Sequence, residues 1–393
     1  MERTFAVPEN QDDTMASPKL ARYRLYLRQR PTLLVVMSIV AVIFFLAVTG
    51  LSRIYYRQRE FLGNRWSTRG VADLNAKNFG AAVTEFRTAL LYSRDDYSYQ
   101  LNLAEALIGL KRTGEASAYL INLWDREPDN GVVNLELARI ARQQTRTDEA
   151  IRYYHNAVYS AWPKGQEHRR REARLELIDL LLQIKDQGDA QAELIALAAN
   201  VDDEPEMQPI IGRLFLRADD YEHALAAFRT ALSQDRRDAE AMAGAGYAAF
   251  QLARYPLAQH YLEEAAAANP KDTQSAQLLQ TTNAVLHMDP FRPKISSVDR
   301  SRIVMESFAA AGQRLNACPL PKGPAAPDGS AVSLSDEWNT LKPQVNALKR
   351  NPNLADAAMD LVFRIERQTS AVCGTPTGTD LALLLIAKLH EGS

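Results

Sequence analysis

The sequence predicts an all-α protein, in which one N-terminal transmembrane helix precedes a solenoid of helical repeats and a small helical tail. Three observations predict it: an uncharged apolar run, a 34-residue period in the apolar residues, and helical apolar spacing over residues 334–393. Of the 393 residues, 46% are hydrophobic and 24% are charged, which is typical of a mainly globular chain. The formal net charge of −2 provides no global field for nucleic acid. Two cysteines exclude a disulfide-rich scaffold and a cysteine-ligated metal cluster.

The apolar run covers residues 32–52 and contains no charged side chain. At 1.5 Å per residue this run is about 30 Å long, the thickness of a bilayer core. It is longer than the apolar region of a signal peptide, and Tyr55 and Tyr56 follow it, as in an interfacial aromatic belt. We therefore expect a transmembrane helix over 32–52, after a basic and mostly disordered tail over 1–31 and before a connector over 53–65.

The positive-inside rule gives little preference for either orientation of this helix, because the basic residues close to it on its two sides are nearly equal in number. Close to the run, five basic residues lie over 19–30 and four over 53–65: Lys19, Arg22, Arg24, Arg28 and Arg30, then Arg53, Arg57, Arg59 and Arg65. A short basic tail, one helix and a large domain form the usual signal-anchor arrangement. We expect an inner-membrane protein of a bacterium with a cytoplasmic N-terminus and its bulk in the periplasm.

A 34-residue period follows the apolar run. Its clearest marks are alanines with a large apolar residue four positions later and, in most units, a small residue twelve positions earlier. The alanines are Ala82, Ala116, Ala150, Ala190, Ala224 and Ala258. The steps between them are 34, 34, 40, 34 and 34, so the series needs a six-residue insertion, which we place around residues 163–168.

Further residues carry a resemblance to a known family. Trp66 opens the first unit, an aromatic residue precedes three of the alanines by three positions, and Pro128 and Pro270 end second helices. The segments YEHALAAFRTAL (221–232) and TDEAIRYYHNAV (147–158) follow the same pattern. The sequence resembles the tetratricopeptide repeat (TPR) family, whose unit is a helix–turn–helix of about 34 residues. The resemblance implies a right-handed superhelical solenoid of six units over 66–272, stabilised by stacking between units.

The resemblance also implies a concave groove, lined by the first helices, that holds a peptide or a partner helix. In this register the partner-binding residues are Arg139, Arg142, Arg213, Arg217 and Tyr247. A basic groove with a tyrosine suits acidic peptides or a C-terminal carboxylate. The alternative interpretation is that these arginines are solvated residues on a helix face.

The remaining chain is predicted to be a helical cap over 273–318, a Pro/Gly-rich linker over 319–333 and a helical tail over 334–393. Cys318 and Cys373 bracket the linker and most of the tail. They form either a disulfide that pins the tail to the cap, as expected in an oxidising compartment, or two unrelated buried thiols.

No catalytic motif is present, since phosphate-binding, nucleophile-elbow and zinc-protease patterns are absent from the sequence. We expect no catalytic residue, metal or cofactor, and no nucleic acid or small-molecule substrate. The predicted partners are proteins or peptides, together with the lipid bilayer around residues 32–52. The sequence thus favours a non-enzymatic, membrane-anchored scaffold in envelope assembly, secretion or complex maturation. The alternatives are a cytoplasm-facing adaptor that recruits a soluble enzyme or protease, and an enzyme with an unrecognised site in the tail.

Overall fold

A computed structural model describes residues 31–201, 204–318, 320, 333–345 and 354–390. Within these ranges the chain forms 17 α-helices and one short 3-10 turn (Pro205–Met207), with no β-strand. The predicted all-α class is confirmed. All but Pro31 of the disordered tail expected over 1–31, and nearly all of the linker expected over 319–333, lie outside the described residues. The chain divides into two compact units, residues 1–166 and 167–393.

The first unit contains six helices in hairpin order. They are α1 (Pro31–Asn75), α2 (Phe79–Tyr92), α3 (Tyr97–Gly109), α4 (Thr113–Arg126), α5 (Gly131–Gln143) and α6 (Thr147–Tyr159). Short turns join them, so consecutive helices run antiparallel and pack against each other.

Helix α1 is 45 residues long and combines the apolar run with the first helix of the first repeat. The segment Leu33–Asn75 is long and apolar enough to cross a membrane, and the described part of the chain buries none of its most apolar window. The connector expected over 53–65 is therefore helical rather than a separate element. Side chains of α1 become buried only from Gly63 onward, at Gly63, Ser67 and Gly70, which is helical spacing toward α2.

The second unit holds the remaining eleven helices of the described ranges. They are α7 (Glu167–Gln183), α8 (Gln187–Asn200), α9 (Gln208–Arg217), α10 (Tyr221–Gln234), α11 (Ala239–Gln251), α12 (Tyr255–Ala268), α13 (Thr273–Met288), α14 (Ser297–Ala317), α15 (Leu334–Val345), α16 (Leu354–Cys373) and α17 (Gly378–Leu389).

The turn inside each helical hairpin contains a residue with positive φ, and these residues show the repeat spacing independently of the alanines. They are Lys77, Lys111, Thr145, Lys185, Asp219 and Ala253. The steps between them have the same lengths, in the same order, as the steps between the alanines. The six additional positions lie between Thr145 and Lys185 and are divided between two places. The connection from α6 to α7 has seven residues, against four between α2 and α3, and α7 has 17 residues, against 13 in α3 and α5.

The six alanines are fully buried, and so is the large residue four positions after each of them. Close packing explains why the residue twelve positions before an alanine is small in most units. A Cβ on Gly212 would lie 2.8 Å from the ring of Phe228, and one on Gly70 would lie 2.8 Å from the ring of Phe86. Glycine allows the first helix to approach the large side chain of the second helix in the same repeat.

The C-terminal helices pack on the helices that follow the last repeat. Helices α14, α16 and α17 share one apolar core, which includes Phe308, Met359, Val362 and Leu383 and extends to Tyr255 on α12. Cys318, just after α14, and Cys373, the last residue of α16, form a disulfide with a Cα–Cα distance of 6.3 Å. The tail therefore belongs to the same hydrophobic core as the cap.

Candidate functional site

A pocket of about 240 Å³ lies between the first helices of neighbouring hairpins in the second unit, α9, α11 and α13. Arg213 on α9, Tyr247 on α11 and Gln274 on α13 contribute polar groups to its wall, and Leu216 and Leu278 contribute apolar surface. Several lining residues follow the repeat spacing, because Arg213 and Tyr247, and likewise Glu240 and Gln274, are one repeat length apart in the sequence. The same helical face of successive repeats thus forms this pocket.

The bottom of the pocket is shaped by Phe228 of α10 and Gly244 of α11. A Cβ on Gly244 would lie 2.4 Å from the Phe228 ring, so no larger residue fits there without moving the ring. Phe228 is fully buried against Gly212 and Gly244, which fixes the spacing of α9 and α11. The pocket is therefore set by the packing of the repeat rather than by a flexible loop.

One end of the pocket is the N-terminus of α13, where Asp272 is the N-cap. The Asp272 carboxylate accepts backbone N–H bonds from Gln274 and Ser275, each at 3.1 Å, and a bond from the Ser275 hydroxyl at 2.6 Å. The hydrogen bonds from Ser275 hold the pKa of Asp272 below its usual value. Asp272 thus remains ionised and fixes the first turn of α13.

The charges around the pocket differ from the basic groove that the sequence suggested. Arg213 Nη1 pairs with Glu240 Oε1 at 2.5 Å, and Asp272 is a second carboxylate in the lining. One arginine therefore faces two carboxylates. This arrangement does not attract an acidic peptide, and it suits a polar or neutral segment that offers both donors and acceptors.

Tyr247 is oriented by a neighbouring aromatic ring. It makes an edge-to-face contact with Tyr221, with ring centroids 6.4 Å apart. The Tyr221 hydroxyl donates to Asp219 Oδ1 at 2.8 Å, and burial and that carboxylate raise the pKa of Tyr221 to about 12. Tyr221 is thus a neutral hydrogen-bonding group at neutral pH, and its ring supports that of Tyr247.

In the second unit the structure brings Arg213 and Tyr247 together and leaves Arg217 outside the pocket. Arg217 bonds to Asp179 at 3.0 Å and does not line the pocket. Arg139 and Arg142 lie on α5 in the first unit, where Arg139 donates to Glu136 at 3.0 Å. Of the three candidate residues in the second unit, two therefore share the pocket.

Gln274, Ser275 and Leu278 were missed by sequence reasoning, which assigned α13 to the cap. The available signal was the step of one repeat length from Glu240 to Gln274 and from Gly244 to Leu278. Among the described residues, no group of three or more histidine, cysteine, aspartate or glutamate side chains is arranged to hold a metal ion.

Comparison with known proteins gives a family match for two parts of the chain. Residues 68–131 and 211–275 match the tetratricopeptide repeat family. No curated protein matches the sequence significantly. Solved structures similar to the chain include YrrB, described as a TPR protein with an unusual peptide-binding site, at 16% identity over 49% of this chain and 95% of that chain, with a TM-score of 0.40.

Two further solved structures are similar to somewhat more than half of the chain. PilF of Pseudomonas aeruginosa is 15% identical over 58% of this chain and 99% of that chain, with a TM-score of 0.40. PilW, described as a type IV pilus biogenesis factor, is 18% identical over 56% of this chain and 98% of that chain, with a TM-score of 0.38. The similarity to the tetratricopeptide repeat family rests on the two matched segments and not on these distant structures.

Proposed function

We propose a function for this chain from the premise that it is a tetratricopeptide repeat protein. Proteins of this family bind peptides or other proteins, and the fold is typically non-enzymatic. The proposal is that this chain is a membrane-anchored scaffold that holds a protein partner on the first-helix face of α9, α11 and α13. The observation that carries it is the pocket in which Arg213, Tyr247 and Gln274 converge on one face of three successive hairpins.

The pocket suits one short extended segment of a partner. Leu216, Leu278 and Gly244 provide a small apolar surface, and Tyr247, Gln274 and Ser275 provide neutral polar groups around it. Because Arg213 is already paired with Glu240, the expected ligand is a polar peptide with a small apolar side chain rather than an acidic one.

The anchor in this proposal is the apolar half of α1. Its large apolar side chains between Leu33 and Leu51 are exposed in the folded protein, which is unfavourable in water and favourable in a bilayer. The disulfide between Cys318 and Cys373 supports an oxidising compartment for the C-terminal helices. We therefore place the bulk in the periplasm of a bacterium, in envelope assembly, secretion or complex maturation.

The second candidate function is a cytoplasm-facing adaptor that recruits a soluble enzyme or protease to the membrane. The positive-inside rule does not exclude it, since the near flanks are almost balanced, with five basic residues over 19–30 and four over 53–65. It requires the opposite orientation, in which Cys318 and Cys373 meet a reducing environment.

The binding site is tested by comparing matched charge reversals in the full chain. Arg213→Glu changes the pocket, and Arg229→Glu makes the same change on an exposed part of α10 outside it. Each tagged chain is expressed in its own membranes, cross-linked, purified and analysed by mass spectrometry. We expect the proteins captured by the unmodified chain to be retained by Arg229→Glu and lost from Arg213→Glu. Equal capture by both variants would show that the pocket is not the binding site.

A separate experiment uses thiol chemistry to test on which side of the membrane the C-terminal helices lie. Intact cells are treated with a thiol-blocking reagent, and the chain is then unfolded and analysed with and without reductant. Linked Cys318 and Cys373 support the periplasmic scaffold. Two free thiols that label only after lysis and unfolding favour the cytoplasmic adaptor.

A further inference from the structure

Helix α1 continues without a break from the apolar run into the first repeat. Ser52, the last residue of the run, and Arg59 are seven positions apart on this helix, about 10 Å along its axis. A bilayer has a core of about 30 Å and a total thickness of about 40–45 Å, so each headgroup layer is roughly 5–8 Å thick. Arg59 thus lies at the outer edge of the headgroup layer when the apolar run spans the core.

Helix α2 returns toward that edge. Gly70 of α1 packs on Phe86, and Gly63 packs on Tyr92, so later residues of α2 lie beside earlier residues of α1. At the end of α2, Arg59 Nη2 donates to the carbonyl oxygen of Tyr92 at 2.6 Å. The loop of residues 93–96 that follows is therefore on the bilayer side of the first repeat.

A cavity of about 780 Å³ opens beside this loop. Arg59, Arg87, Arg94 and Asp95 line it, with Tyr119 and Asn122 of α4 on the far wall. Arg59 is held by the α2 carbonyl and Arg87 by Glu115 at 3.0 Å, and Arg94 is solvent-exposed on the loop. Because Arg87 is paired with Glu115, the positive balance of the lining comes from Arg59 and Arg94 against Asp95.

An exposed leucine lies at the same level. Leu91 contributes to the cavity wall and is 77% exposed, although it belongs to the last turn of a packed helix. In contact with water this exposure is unfavourable, whereas at the edge of a bilayer the side chain contacts the lipid.

We propose that this cavity binds the phosphate of an anionic phospholipid headgroup, with Arg94 as the main phosphate ligand, Arg59 and Arg87 beside it, and Leu91 covered by the bound lipid. The proposal depends on the membrane anchor proposed above. The level of the cavity along α1 selects a membrane lipid over a peptide, and the positive lining selects an anionic over a zwitterionic headgroup.

The test uses the full chain in nanodiscs that contain equal amounts of phosphatidylglycerol and phosphatidylcholine. The protein is released into the gas phase and the retained lipids are counted by native mass spectrometry. We expect phosphatidylglycerol to be retained preferentially, and Arg94→Glu to lower the ratio of the two lipids about fivefold, the effect of about one basic residue at a membrane surface. The matched control is Lys77→Glu in the turn beyond the far end of α1, where we expect no change.

Three results would overturn the proposal. One is an equal ratio in the unmodified chain and Arg94→Glu, and another is an equal loss in Lys77→Glu. The third is loss of the lipid preference in millimolar inorganic phosphate at matched ionic strength, which would show a free-phosphate site. A chain that does not enter nanodiscs at all would overturn the anchor as well, so the two failures are distinguishable.

Discussion

The repeats and the C-terminal helices of the second unit are both helical, but they are stabilised in different ways. In the repeat α9–α10, a glycine on the first helix contacts an aromatic ring on the next helix along the chain, as Gly212 contacts Phe228. In the C-terminal helices, α14 and α16 are joined by a disulfide between residues 55 positions apart and enclose a buried carboxyl group, Glu366.

This difference concerns how far along the chain the stabilising contacts reach. A repeat depends on contacts of short range that recur at a fixed spacing, and each hairpin stabilises its neighbours. The C-terminal helices depend on single contacts of long range that occur once. Substitutions should therefore have effects that differ in location as well as in size between the two regions.

The largest effect is expected from Phe228→Ala. The ring is fully buried between Gly212 and Gly244, and its removal leaves a cavity between two rigid helices. We expect the free energy of unfolding to fall by about 4 kcal/mol. The measurement is urea unfolding of the full chain in detergent, followed by circular dichroism. Phe61→Ala, at a residue that is 67% exposed, is the control, and a similar loss in both variants would contradict the packing argument.

The next effect is expected from the double substitution Cys318→Ala and Cys373→Ala. Removing the cross-link frees a loop of 55 residues in the unfolded chain, and we expect a loss of about 3 kcal/mol. Hydrogen exchange should accelerate in α14 and α16 while α10 and α11 stay protected. Acceleration spread evenly over both regions would contradict the division between them, and reduction of the unmodified chain serves as the control.

A smaller change is expected from Glu366→Gln, which should raise the free energy of unfolding rather than lower it. Among the described residues neither Glu366 carboxylate oxygen has a hydrogen-bond partner, and burial together with nearby Asp380 raises the pKa of Glu366 to about 8, against a weaker opposing effect of Arg314. Burial also raises the pKa of Asp380. The folded state therefore holds a proton on Glu366 that the unfolded state releases above its ordinary pKa of 4.5.

The stabilising effect of this proton is complete below pH 4.5 and is lost as the pH rises toward 8. Glutamine keeps the shape and cannot ionise, so the variant should be more stable than the unmodified chain by about 2 kcal/mol at pH 6 and nearly equal to it at pH 4.5. Thermal unfolding at both pH values measures this. An equal difference at the two pH values would show that ionisation of Glu366 is not the cause.

The smallest effect is expected from Asp238→Ala. The Asp238 carboxylate accepts N–H bonds from Glu240 and Ala241, each at 3.0 Å, at the N-terminus of α11. We expect a loss of about 1 kcal/mol in the free energy of unfolding by urea. Asp238→Asn retains the acceptor oxygen and should recover most of that loss, and failure to do so would assign the effect to charge rather than to capping.

The same comparison explains what could be predicted from the sequence. The spacing of Ala82, Ala116 and Ala150 predicts helical hairpins because the repeat geometry is local and periodic. The burial of Glu366 was not predicted, since it depends on how α14, α16 and α17 pack, which happens once and has no period. The helical connector between residues 53 and 65 was not predicted because its many arginines concealed the face that meets α2.

Only part of the candidate site was predicted, for a related reason. The repeat register places Arg213 and Tyr247 on one face, and the structure brings them together. The register does not indicate which carboxylate a given arginine meets. The Arg213–Glu240 and Arg217–Asp179 pairs each join different helices and change the charge that the face presents. Side-chain reach across helices, rather than periodicity, decides these pairings.

Because α1 is unbroken, the number of residues between the apolar run and the first repeat sets the direction in which the first repeat faces about the helix axis. An α-helix turns about 100° per residue, so one inserted alanine near residue 56 would swing the first repeat through more than a quarter circle about the helix axis and lift it about 1.5 Å. An insertion of two full turns, about seven residues, would return it to within about 20° of its original direction, at a height about 10 Å greater. The direction in which the first repeat faces about the axis of α1 is thus encoded by a count of residues, and it changes with each insertion or deletion in this stretch.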